Sequence, residues 1–193
     1  MMANKFTHKI TPYLWQLLFL AISIFLFSLI LANRAPNMLR PISMSLRTGF
    51  ALVIPLTAFI LYIAFRIPNR AGDLIGMAAT LSLFAMPLAG LWASGQSNSI
   101  TISGLVPIID AANYYNDSLR IMMGRNISQF SAMRPFFSGF LSFLLSITDR
   151  NLMFSLAIIT AVMAIASYYG VREIQRTHGA ETAVFLLIIL FLY

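Results

Sequence analysis

Two of the chain's six carboxylates, Asp110 and Asp117, stand seven residues apart in GLVPIIDAANYYNDSLRIMMG, with Tyr114 between them and Arg120 just behind. Pro107 disfavours helix in the preceding run ITISGLVPII, which reads as extended. Asp110 then occupies the position of a helix N-cap, and apolar residues recur at 111, 114, 115, 119, 122 and 123. The pattern predicts an amphipathic helix lying in a membrane interface. At about 100° per residue, Asp110, Tyr114 and Asp117 fall near one stripe, with the carboxylates about 10 Å apart along the axis. They could line one groove but not share one proton. Simpler roles compete: Asp110 as a cap, Asp117 as the i,i+3 partner of Arg120 in a contact of about 0.2–0.5 kcal/mol, and Tyr114 and Tyr115 as an interfacial aromatic belt. Arg125 and Arg134 add two cations that could bind an anion or snorkel to the interface.

Elsewhere the sequence offers little chemistry. It has no cysteine, which excludes disulfides, thiolate metal sites and cysteine nucleophiles. His8 and His178 lack the i,i+4 partner or carboxylate spacing of a metal site. No phosphate-cradling glycine loop, zinc motif or nucleophile elbow is present.

The elements that must position these residues are membrane helices. Of 193 residues, 59% are hydrophobic and 10% charged, with a mean hydropathy of +0.82. A soluble domain has about 45–50% apolar and about 25% charged residues. The chain is therefore read as all-α, a single polytopic membrane domain over 1–193. Spans are predicted at about 13–32, 49–65, 74–93 and 152–169, with an incomplete one from 182. Pro55 and Pro87 fall inside the second and third spans, where each is expected to kink the helix. The first span has no small-residue cleavage site before or after it and is expected to stay attached. Residues 136–147 number only 12, which suits an interfacial helix within an external loop, 94–151. The run from Thr182 to Tyr193 stops at full hydrophobicity, as a truncated span would. Lys5, Lys9, Arg66, Arg70, Arg172 and Arg176 place the N-terminus in the cytoplasm, against Arg34, Arg40 and Arg47 outside, provided 136–147 does not cross. The net charge of +7 is scattered, so lipid rather than nucleic acid is the expected partner.

Order and spacing carry one resemblance. Asp110-x3-Tyr114-x3-Ser118-x5-Gly124, then Arg134-Pro135, a short apolar helix, the break TDRN, a full span and the basic exit VREIQR, resembles the first external loop and following helix of GT-C-type integral-membrane glycosyltransferases. It covers about residues 72–193. The resemblance implies an enzyme of the bacterial cytoplasmic membrane, here represented by its N-terminal part. Such an enzyme moves a sugar from a polyprenyl-phosphate donor to an acceptor glycan, lipid or protein at the outer face. It further implies Asp110 as the base for the acceptor hydroxyl and Tyr114, Asp117, Arg120, Arg125 and Arg134 as substrate contacts, an arginine meeting the leaving phosphate. No organic cofactor is expected; a divalent metal at Asp110 and Asp117 is compatible with the class. Two spans precede the segment that resembles the family's first, and the family's later helices are not in this sequence. The rival expectation is a non-enzymatic multi-span subunit or transporter fragment, although the predicted spans hold no charge of the kind an ion relay needs.

Overall fold

The computed structural model describes residues 3–32, 52–94, 101–102, 106–107 and 109–192. The start of the second predicted span, the first external loop with Arg34, Arg40 and Arg47, and Tyr193 lie outside them. The fold is all-α: α1 (Ala3–Ala32), α2 (Val53–Arg66), α3 (Arg70–Ser94), α4 (Ile109–Met122), α5 (Gln129–Ala132), α6 (Pro135–Ile147), α7 (Leu152–His178) and α8 (Ala180–Leu192). Two residue pairs of extended chain, Thr101–Ile102 (β1) and Val106–Pro107 (β2), meet antiparallel ahead of α4, as Pro107 led one to expect.

Among the described residues, three helices are long and apolar enough to cross a bilayer, over Leu14–Ala32, Arg70–Trp92 and Leu152–His178. Local chemistry sets limits that hydropathy alone misplaced. Asn69 accepts hydrogen bonds from the Ala71 and Gly72 amides through Oδ1, so α3 starts at Arg70 rather than 74. Asn151 caps α7 by accepting from the Phe154 amide at 3.0 Å. The helix continues through Gly170 and stops at Gly179, at φ 90°, so it runs nine residues past the predicted 169. Pro87 is interior to α3, as expected. Pro55 is not interior: the described part of α2 begins at Val53, and a proline in the first turn removes no intrahelical hydrogen bond.

Helices α1, α2, α3, α7 and α8 pack into one bundle around Leu61, Phe65, Leu81, Phe84, Tyr168 and Leu187. Glycine decides the closest approaches. A Cβ on Gly72 would stand 2.5 Å from the carbonyl oxygens of Ala64 and Ile67, so only glycine permits the sharp α2–α3 corner. A Cβ on Gly76 would meet the Tyr168 ring at 3.1 Å. The space left there lets Tyr168 bury its ring and donate its hydroxyl to the Asp73 carbonyl at 3.0 Å.

The bundle has two distinct ends. At one, Arg66 pairs with Glu181 at 2.6 Å, Arg172 pairs with Asp73 at 2.5 Å, and Gln175 Nε2 donates to the Phe65 carbonyl. The Arg70 guanidinium stacks 5.2 Å from the Trp15 ring, which brings early α1 to this same end. At the other end Ala32 of α1, Trp92 of α3 and Asn151, the cap of α7, line a common, mostly apolar cleft. Helices α1 and α3 therefore run together and α2 and α7 run against them. The chain between α3 and α7 leaves and rejoins the bundle at one end.

Helices α4, α5 and α6 form a second layer in that connection. α6 has 13 residues, about 20 Å of helix, against roughly 30 Å of hydrocarbon. It packs mainly on α4, not on the bundle. The joint to α7 is the TDRN break: Asp149 and Arg150 both take positive φ, and the Arg150 amide bonds back to the Leu145 carbonyl at 2.8 Å. Thr148, buried beneath this turn, bonds its hydroxyl to that of Ser155.

Candidate functional site

The site is built on α4. Ile109 takes φ 53°, a left-handed conformation unusual for a β-branched residue, and turns the chain one position earlier than the sequence pattern placed the cap. Asp110 therefore sits within the first helical turn rather than outside it as the N-cap. It is exposed and forms no ion pair among the described residues. One turn on, Tyr114 joins three helices: its ring lies 5.1 Å from Phe130 of α5 and 5.2 Å, edge-on, from Phe137 of α6. Tyr114, Arg134, Pro135, Phe136 and Phe137 line an open cleft of about 440 Å³ whose walls are almost wholly apolar. Arg134 stands at the mouth of α6, where Pro135 takes the first helical position.

Asp117 has a different setting. Gly124 at φ 66° ends α4 in a Schellman turn, with the Arg125 amide bonded to the Arg120 carbonyl at 2.8 Å and the Gly124 amide to the Ile121 carbonyl at 3.0 Å. The reversed chain covers Asp117, whose side chain is 2% exposed. Ser128 donates both its amide, at 3.1 Å, and its hydroxyl to the carboxylate, while Arg120 reaches it at 3.1 Å. The same Ser128 hydroxyl caps α5 by accepting from the Ser131 amide. Burial acts to raise the Asp117 pKa. The Ser128 hydroxyl, the neighbouring Ser131 hydroxyl, the Ser128 amide and the Arg120 charge outweigh it and hold the group at about 2, below its ordinary 3.8. The Ser131 hydroxyl itself is buried without a well-formed hydrogen bond. Beside Asp117, Ser118 is fully buried and donates to the carbonyls of Tyr114 and, across the interface, Ser138. Small residues at 118 and 138 thus let α4 and α6 approach closely.

The six residues singled out in the sequence therefore separate. Asp110 and Tyr114 share a helix face, and Tyr114 shares a cleft with Arg134. Asp117 and Arg120 belong to the fold-back of the loop instead, although Asp117 lies nearly on the Asp110 stripe, because the 125–128 segment closes over it. Arg125 is exposed, outside the cleft and without an ion pair among the described residues. Four of the six carboxylates, Asp73, Asp117, Glu173 and Glu181, are held in ion pairs. Among the described residues the other two, Asp110 and Asp149, have no ion-pair partner. Sequence reasoning passed over Asp149, whose only signal was its place in the TDRN break. His178 bonds through Nδ1 to the Thr177 hydroxyl; the His8 side chain lies outside the described residues. Among the described residues, no three histidine or carboxylate side chains gather as metal ligands. No known protein family, curated protein or solved structure matches the chain.

Proposed function

We propose that the chain is part of a polytopic membrane glycosyltransferase that moves a sugar from a polyprenyl-phosphate donor to an acceptor, with Asp110 as the general base. The observation that carries the reading is an unpaired, solvent-exposed carboxylate one helical turn from an aromatic cleft with a single arginine at its edge. Asp110 takes the proton of the acceptor hydroxyl as its oxygen bonds to the sugar's anomeric carbon. The bond from that carbon to the donor phosphate breaks, and the leaving phosphate keeps the electron pair. Arg134 meets that developing charge, since a guanidinium offers phosphate two parallel hydrogen bonds. Arg134 is preferred to Arg120, which is engaged by Asp117, and to Arg125, which lies outside the cleft. The aromatic walls suit the isoprenoid part of the donor. The layer of α4 to α6 then belongs to the outer face, and the arginine-rich end of the bundle to the cytoplasm.

The test is sugar transfer from a polyprenyl-phosphate donor in membranes holding the full-length protein, comparing Asp110→Asn with the parent. Loss of a positioned general base lowers turnover by about 10²–10⁴-fold. Unchanged turnover in a variant with the parent's thermal stability removes Asp110 from the chemistry. The rival, a non-enzymatic subunit, draws on the outward face of α6, where Phe136, Phe143 and Ile147 are 82%, 59% and 61% exposed. On that reading, polar substitution of Phe143 abolishes assembly while Asp110→Asn has no effect.

A further inference from the structure

The arginine-rich end of the bundle holds a second cleft, independent of the transfer reading. It measures about 570 Å³ and opens between the C-terminus of α2, the last two turns of α7 and the start of α8. Arg66, Arg172 and Arg176 line it against one carboxylate, Glu181. Its position follows from length: the 27 residues of α7 make about 40 Å of helix, roughly 10 Å more than the hydrocarbon layer requires. The surplus is the polar end VREIQRTH, so Arg172 and Arg176 stand at headgroup depth.

None of the three guanidinium groups is fully used. Arg66 spends Nη2 on Glu181, and Arg176 spends Nη1 on Glu173. Arg172 gives Nη2 to Asp73 and Nη1 to Gln175, and its Nε is buried with no hydrogen-bond partner among the described residues. Each guanidinium carries five N–H donors in a planar fork that fits a phosphate. Phe65 and the chain bend at Ile67 and Pro68 supply an apolar wall beside them.

We propose that this cleft binds a phosphate group, that of an anionic bilayer lipid. Basic pockets between spanning helices are suited to acidic headgroups, and the three arginines that line this one each pair with a single carboxylate, Glu181, Asp73 or Glu173, which leaves further N–H donors on every guanidinium. Glu181 competes with the ligand for Arg66. The detergent-purified protein is titrated with phosphatidylglycerol or phosphatidylcholine and the bound lipid read by native mass spectrometry, with inorganic phosphate as competitor. Phosphatidylglycerol is retained and phosphatidylcholine is not. Arg66→Gln with Arg176→Gln weakens retention about tenfold or more, as the loss of two charge-assisted hydrogen bonds requires. Arg150→Gln, at the opposite end, leaves it unchanged. Glu181→Gln strengthens it, a gain that partial unfolding does not produce. Displacement by millimolar inorganic phosphate supports the same chemistry with free phosphate as the source. Equal retention of both lipids, an equal loss in Arg150→Gln, or weaker binding in Glu181→Gln overturns the proposal.

Discussion

Replacing Asp117 by asparagine tests whether its carboxylate is a structural tie. Folding holds the group at about 2 against an ordinary 3.8, and each pKa unit is worth about 1.4 kcal/mol, so ionised Asp117 contributes about 2 kcal/mol near neutral pH. That figure is an upper bound, because the cover over the carboxylate is one loop thick and its arginine partner is half exposed. Little of it comes from Arg120, since an exposed i,i+3 pair gives only about 0.2–0.5 kcal/mol. More comes from the Ser128 hydroxyl, the Ser131 hydroxyl and the Ser128 amide, and an asparagine amide would meet one of these donors with its own N–H. The sign follows from a lowered folded-state pKa. The contribution is complete above the unfolded value near 4 and is lost as pH falls toward 2.

The assay is hydrogen exchange at the Ser128 amide, which reports the local opening of the 123–128 turn. A loss of about 2 kcal/mol corresponds to roughly thirtyfold lower protection in Asp117→Asn at pH 7. In the parent, protection falls by the same factor between about pH 5 and pH 2, and in the variant it stays flat across that range. Normal protection at Ser128 in the variant, or a variant that still loses protection with acid, refutes the account of Asp117 as the tie.

Three other outcomes follow from the geometry. Gly72→Ala destabilises the protein more than Gly76→Ala in thermal unfolding, because the first presses on backbone carbonyls at 2.5 Å and the second on a tyrosine ring at 3.1 Å; an inverted order contradicts the packing described. Gly124→Ala costs about 1 kcal/mol and Gly124→Val more, measured by exchange at the Arg125 amide, since the only obstacle is φ 66° and nothing lies within 4 Å of a new Cβ. Cysteines at Arg150 and Arg176, both exposed, react with an impermeant reagent from opposite sides of the membrane; reaction from one side would mean that α7 does not span.

The sequence made the periodic features plain and the complementary ones invisible. Apolar residues at 111, 114, 115, 119 and 122 marked the face of α4 that is half buried, because a 3.6-residue period can be read without knowing what covers it. The short length of 136–147 likewise carried over to the 13-residue α6. Within the long apolar runs no such reading was available. Gly72, Gly76 and Tyr168 look interchangeable with their neighbours by hydropathy, yet they set the approach of α2, α3 and α7. That information resides in pairs of residues up to 95 apart. The choice among Arg120, Arg125 and Arg134 was hidden for the same reason: identical side chains differ only in what the fold brings beside them.

The two island carboxylates show how far burial can separate residues of one type on one helix stripe. A general base accepts a proton most effectively when its pKa lies near the working pH. For Asp117, held at about 2, the gap to pH 7 is about five units, and protonating it there costs roughly 7 kcal/mol. Moving the proton to Asp117 would also release the Ser128 amide and hydroxyl and open the turn they close. The network that makes Asp117 a good tie therefore makes it a poor base. Asp110 lies before the reversal at Gly124 and beyond the reach of its cover, so it keeps open access to water. Moving the reversal one turn toward Asp110 would bury the candidate base as well, so the position of Gly124 limits the chemistry available on this helix.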